Sequence, residues 1–460
     1  MLFMRLSGVL AKIILARTIT PYEYGVITLV VISLPALFQL FSNLSMYDMM
    51  SHSRKGKDYF GFSLIFSTVV IVLISVLFFI FHEVFFEFVN LPLDSWESTF
   101  LALIISALPV CILTDFMGFY RGLRKYSLPT QISMIPSILR LVFIAAAVYV
   151  FNIRDFFSIM LIFSTPSFVT LIYYLLKYYG TIRDSLRKIN KPSKEMWAFG
   201  LSLFIVGSFL SSEFTIIKIV VSHMLGVEWQ GYFDVSLTLV SILTFFSATM
   251  NYITIPEVTR EDFREESFAE PGGLWDLTKA LFAYLIFAVI ILYFYADSLV
   301  VLLFSESYAI SAGYTSMLAI GSVFLFVQRY TAYLDISLSK NIRQQKALII
   351  VTLFFIIVLP IFTYALIAMF GFPGAYISVT ILSILYTIST VAVSKNKHKL
   401  RFLLGGSEKL LLPVLVTFAF IYFTGLSFLL GLASASVLYT LLLFSSRYVS
   451  RKIFTDFFRK

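Results

Sequence analysis

Fourteen apolar runs follow one another along this chain, the first near 1–19 and the last near 427–446, each close to twenty residues long. An α-helix rises 1.5 Å per residue, so about 20 apolar residues cross the ~30 Å hydrocarbon core of a bilayer. The runs are continuous rather than alternating, which fits helices and not the strands of a barrel. Only 13% of the 460 residues are charged, against 59% hydrophobic. A soluble chain this apolar could not cover its surface with polar groups. The predicted fold class is therefore an all-α polytopic membrane protein with about 14 transmembrane helices. A soluble enzyme, a disordered chain and a disulfide scaffold are excluded, the last because a single cysteine, Cys111, cannot pair within the chain.

The net charge of +9 would suggest nucleic acid in a soluble protein, but its placement explains it otherwise. Of the 35 basic residues, 29 fall in the loops after even-numbered spans or in the two termini. The loops after odd-numbered spans hold only Arg17 and Arg154. By the positive-inside rule both termini and every even loop are cytoplasmic. One missed helix would invert everything downstream, so the consistency supports the span count. The first run carries Arg5 and Lys12 and lacks a cleavage site of the A-x-A kind, and so is read as a helix rather than a removable signal peptide. The longest connections, the basic stretch 179–195 and the acidic stretch 257–276, read as solvated linkers.

No catalytic motif survives inspection. His82-Glu83 opens an H-E-x-x-H, but Phe86 stands where the second histidine is required. There is no Walker loop, CxxC, D-x-D or nucleophile elbow, and the four histidines are scattered at span ends and in loops on both sides of the membrane. The outer loops are short, the longest being 82–97, which disfavours a membrane glycosyltransferase or polymerase. The chain is expected not to be an enzyme, and to need no cofactor, metal or nucleic acid.

A resemblance then becomes specific. The segments Leu15–Val30 ("LARTITPYEYGVITLV"), Phe116–Tyr126 ("FMGFYRGLRKY"), Leu225–Leu239, Val300–Gly321 and Gly371–Thr380 resemble, in order and spacing, signatures of the polysaccharide-unit (Wzx-type) flippases. These belong to the multidrug/oligosaccharidyl-lipid/polysaccharide (MOP) flippase superfamily. The resemblance implies two pseudo-symmetric, MATE-like six-helix lobes: an N-terminal lobe at 1–180 and a C-terminal lobe at 196–394. A basic linker at 181–195, a basic loop at 395–409, two extra helices at 410–446 and a basic tail at 447–460 complete the expected layout. An internal echo agrees with it. Tyr22-Glu23-Tyr24-Gly25 before the second span recurs in pattern as Glu228-Trp229-Gln230-Gly231 before the eighth, and Asp115 near the end of helix 4 has a counterpart in Asp335 near the end of helix 10. Gly25, Asp115 and Asp335, with Arg17 at the outer end of helix 1, are read as gate or structural positions. The chain departs from the family in helix 7, where an Asp-Arg pair is common and this sequence has Ile217-Lys218. The first helix is also short for the family, as a truncated start would make it.

Mechanism is read from charges inside spans. Lys12, Arg140, Lys218 and Arg329 are basic, against one deep acid, Glu213. A basic residue at the bilayer centre costs ~2.5–3.5 kcal/mol, so several of the four should face a cavity or an anion. These four are the expected contacts to a lipid headgroup, and Glu213 the expected coupling site for a proton or sodium ion. Glu213 and Lys218 lie about 140° apart around a helix and form no simple pair. Pro35, Pro109, Pro136, Pro166 and Pro360 fall inside spans and predict bends. The resemblance and the basic interior together predict a plasma-membrane transporter that flips a lipid-linked oligosaccharide by alternating access. Membrane lipids and glycan-assembly proteins are its expected partners. The alternatives are a cation-coupled multidrug antiporter or a peptidoglycan-precursor flippase of the same superfamily.

Overall fold

The break between the first two apolar runs is set by Thr20, Pro21 and Glu23. In the computed structural model, α1 (Leu2–Thr18) ends there and α2 (Pro21–Ile27) begins with a capping box. The Thr20 hydroxyl accepts from the Glu23 amide at 3.3 Å, and the Glu23 carboxylate accepts from the Thr20 amide at 2.9 Å. Pro21 fits the first helical position because its missing N–H would have no partner there. The chain then widens into a π-turn over Thr28–Ser33 and resumes as α3 (Leu34–Asn43), with Pro35 in its first turn. A proline cannot donate to the helical ladder, and the wider turn before it accommodates the gap.

The structure describes residues 2–43, 50, 59–125, 127–258, 274–338, 342–394, 408–446 and 448. The helices that follow are α4 (Phe60–Ile80), α5 (His82–Phe88), α6 (Trp96–Gly122), α7 (Ser127–Ala145), α8 (Phe156–Lys177), α9 (Tyr179–Arg187), α10 (Lys194–Leu225) and α11 (Val227–Val258). After them come α12 (Leu274–Leu303), α13 (Ala309–Leu338), α14 (Ile342–Phe370), α15 (Phe372–Val393), α16 (Glu408–Thr424) and α17 (Phe428–Ser445). The expected all-α polytopic fold is borne out, with no strand among the described residues. Among the described residues eleven helices are long and apolar enough to cross a membrane. The other three expected spans coincide with α1 and α16, each 17 residues, and with α11, whose far half is described only as backbone. The count of fourteen thus remains an expectation. Pro109, Pro136, Pro166 and Pro360 lie inside α6, α7, α8 and α14. The basic loop 51–58, most of the acidic stretch 257–276 and of the loop 395–409, nearly all of the tail 447–460, and the Asp335 side chain lie outside the described residues.

The distribution of side chains is inverted relative to a soluble protein. Val69, Val72, Leu73 and Val76 on α4, and Phe354, Ile357 and Ile361 on α14, are exposed. Ser106, Ser164, Thr170, Thr363 and Thr390 are fully buried. Many of the buried hydroxyls are satisfied by their own helix, as where Ser164 donates to the Met160 carbonyl and Thr170 to the Pro166 carbonyl, both at 2.7 Å. Small self-satisfied residues let helices approach closely where lipid, not water, is the solvent.

The chain gathers into two compact units, Met1–Val235 with Asn341–Arg343 and Thr352–Ala375, and Ser236–Lys340 with Gln344–Val351 and Tyr376–Lys460. Within the first, α1 packs along α7, and α6 packs against α3, α4 and α8. Within the second, α12 packs on α13, α16 and α17, and the Tyr439 hydroxyl donates to the Ala283 carbonyl at 2.7 Å.

The two echoed motifs meet inside the first unit. A Cβ on Gly25 would stand 2.1 Å from the Val227 carbonyl oxygen, and one on Gly231 would stand 2.5 Å from the Pro21 carbonyl oxygen and 3.3 Å from the Gly25 Cα. The glycines are required because α2 and α11 cross backbone on backbone. Gly25→Ala and Gly231→Ala should each lose about 1–3 kcal/mol through overpacking. Gly8→Ala, with nothing within 4 Å of its added methyl, should be neutral or slightly stabilising in thermal unfolding of detergent-purified protein.

Candidate functional site

Helices α10 and α11 are joined by one residue. Gly226 has φ +100°, a left-handed conformation that glycine adopts without a Cβ clash and that reverses the chain at once. Lys218 and Asp234 each lie eight residues from that pivot, so the hairpin sets them opposite one another about 12 Å from the turn. Lys218 donates to Asp234 Oδ1 and also reaches the Ser33 hydroxyl at 3.3 Å. From α1, Lys12 donates to Asp234 Oδ2 at 2.8 Å, and the Tyr24 hydroxyl donates to the same oxygen at 2.8 Å. Asp234 is fully buried, while the Lys218 and Lys12 side chains are 8% and 17% exposed. One carboxylate on α11 therefore gathers two cations and a phenol from three other helices of the first unit.

Arg140 is within electrostatic reach of Lys12. It projects from α7 onto α8, where its Nε donates to the Phe163 carbonyl at 3.1 Å and an Nη donates to the Ser167 hydroxyl at 3.4 Å. The guanidinium carbon lies 4.8 Å from the Phe163 ring centroid. Among the described residues no carboxylate lies within 4 Å of Arg140. Two of its five N–H donors are engaged, and the planar fork retains donors for an anion.

Of the four expected cations, the structure brings Lys12 and Lys218 onto one acid, with Arg140 within electrostatic reach of Lys12. Arg329 is half-buried on α13 in the second unit. Arg17 is exposed in the last turn of α1. Glu213 is buried on α10, 6% exposed, and is not the ion-pair partner of Lys218. One expectation is corrected. Glu213 is not the one deep acid, because Asp234 and Asp115 are both fully buried. Asp234 escaped notice because apolarity started its span at residue 232, whereas α11 begins at Val227 and carries Asp234 two turns in. The signal that could have found it is the symmetry of Lys218 and Asp234 about Gly226.

Solved structures give the class of the fold. The chain superposes on the lipid II flippase MurJ in an inward closed conformation with a TM-score of 0.67, at 14% identity and with 96% of each chain covered. An inward-facing multidrug resistance MATE family transporter of the MOP superfamily matches with a TM-score of 0.58 at 16% identity, over 85% of this chain and 94% of that one. A MATE structure in complex with MaD3S gives 0.60 at 14% identity, over 86% and 93%. At such identities the likeness is one of fold, the fold of MurJ and of the MATE transporters. Residues 2–260, more than half of the chain, match the family described as polysaccharide biosynthesis protein, and the chain belongs to that family. No curated protein sequence matches it.

Proposed function

We propose that the protein flips a lipid-linked oligosaccharide, a glycan on a polyprenyl phosphate or pyrophosphate, across the plasma membrane by alternating access. The observation that carries this reading is the cation cluster of the first unit. Lys12 and Lys218 share the Asp234 carboxylate, and Arg140, within electrostatic reach of Lys12, has no carboxylate within 4 Å among the described residues. Three cations near one acid suit a doubly charged phosphate better than a cationic drug. Asp234 already occupies the position between two lysines that a phosphate oxygen would take. In this reading the headgroup displaces it from Lys12 while Arg140 closes from the other side. The family and the fold support such a role, and the fold is shared with a lipid II flippase and with multidrug resistance MATE transporters.

The deciding experiment compares two cargoes on purified protein in liposomes. Polyprenyl-pyrophosphate glycan should bind and cross, in proportion to protein added, and a lipophilic cationic dye should not. Proton-dependent export of the dye with no binding of the pyrophosphate lipid would replace this reading by the antiporter.

Orientation gives a separate expectation. Introduced cysteines in a Cys111→Ala background should label only from the cytoplasm in loops 51–58, 181–194 and 395–409, and only from outside within 85–95. An externally reactive 181–194 loop would break the topology on which the direction of flipping depends.

A further inference from the structure

The first unit holds a second buried carboxyl that the cation cluster does not use. Asp115, on α6, is fully buried. Among the described residues no lysine, arginine or histidine lies within 4 Å of it. It stands seven residues before the end of α6 at Gly122, about 10 Å into the helix. An ionised carboxylate there, without a counter-charge and facing no water, is strongly disfavoured.

The hydroxyls around it leave one carboxyl oxygen without a donor. Ser63 on α4 donates to Oδ1 at 2.6 Å, while Oδ2 receives no donor. Ser67, one turn further along α4, makes no hydrogen bond to the carboxyl; its proton is committed to the Ser42 carbonyl on α3 at 3.2 Å. A carbonyl oxygen has no hydrogen to give, so the direction of that bond is fixed. While that bond stands, Ser67 has no hydrogen to offer an ionised Asp115. The other groups facing this point are Cys111 one turn earlier on α6 and, from α8, Tyr174 packed on the neighbouring Phe116, while Arg140 of α7 is turned onto α8.

We propose that Asp115, bonded by Ser63 at one oxygen and without a cationic partner, is a proton-binding site of the transport cycle, occupied by a proton in the state seen here. On release, the O–H bond of Asp115 breaks and the proton passes to water. The carboxylate keeps the electron pair, and Ser67 turns its hydrogen from the Ser42 carbonyl to the new charge. Deprotonation thus removes a bond between α3 and α4, which ties the proton to the packing of the first unit. The proposal rests on the protein being a transporter but not on the identity of its cargo.

The test is infrared difference spectroscopy of the full-length protein in liposomes, without cargo, on stepping the pH. Wild type should show a protonated-carboxyl C=O band that disappears as the medium turns alkaline, and Asp115→Asn should lose one such carboxyl per chain. Ser67→Ala, a milder change, should shift the frequency of that band while leaving it titratable. In cargo-transport assays, Asp115→Asn should also flatten the pH dependence. A band that persists unchanged in Asp115→Asn, or is lost in Glu213→Gln instead, overturns the assignment. So does an ionised Asp115 whose carboxylate bands respond to sodium and not to pH. Because the band is read without cargo, failure of the glycan reading leaves this outcome legible.

Discussion

Arg140→Glu should bind no lipid pyrophosphate and flip none, at protein levels comparable to wild type. Arg140→Ala should retain little activity and Arg140→Lys part of it. The order follows from what the guanidinium offers. It is anchored by a carbonyl and a hydroxyl of α8 and faces no carboxylate within 4 Å among the described residues, so its remaining donors can meet a phosphate bidentately. Lysine supplies the charge without the fork. A charge-assisted hydrogen bond contributes about 1.5–3 kcal/mol, so losing one weakens headgroup binding by roughly 10- to 150-fold at 1.4 kcal/mol per decade. Equilibrium binding of a polyprenyl pyrophosphate to each purified variant measures this directly. If Arg140→Glu binds and flips like wild type, Arg140 does not touch the cargo.

The second large effect is on stability. Asp234→Asn removes the carboxylate that Lys12, Lys218 and Tyr24 share, leaving two cations in the interior without it. Breaking a buried pair by deleting one partner costs about 3–5 kcal/mol, because the survivor keeps its desolvated charge. Asp234→Asn should therefore lower the unfolding midpoint sharply. Lys218→Met alone should cost less, since Asp234 keeps Lys12. The double variant Asp234→Asn, Lys218→Met should recover part of the loss, a coupling that only a direct interaction produces. Equal midpoints for wild type and Asp234→Asn would mean that the cluster contributes nothing to the fold. Phosphate lipid added to Asp234→Asn should restore more stability than it adds to wild type, if the headgroup takes the vacated place.

The architecture was legible in the sequence because a membrane span must satisfy its own backbone, and length and apolarity alone reveal it. The recurrence of Tyr22–Gly25 and Glu228–Gly231 was legible too, as a pattern, but not that the two copies touch. Contact between α2 and α11 is a matter of tertiary packing, and only the clash that a Cβ would make at Gly25 or Gly231 exposes it. Lys12, Lys218 and Arg140 were found by the cost of placing charge in lipid. Their shared acid was not, because hydropathy cannot place a helix start within one turn. The same limit hid the environment of Asp115. Its position near a helix end suggested a gate or structural role but not its neighbours, and on α6, which packs against four helices, it is completely buried.

The single-residue link at Gly226 makes the cluster sensitive to chain length in a way that side-chain chemistry alone would not suggest. An added or deleted residue there would rotate α11 by about 100° relative to α10 and slide it by about 1.5 Å. Asp234 would swing away from Lys218, and Gly231 would leave its seat against α2. Most connections in membrane bundles drift freely in length over generations, because the solvent-facing turn has little to specify. This one behaves as a gauge. Homologous chains that keep a lysine and an aspartate at equal distances from the turn should keep the turn at one residue, and those that lengthen it should have abandoned the pair.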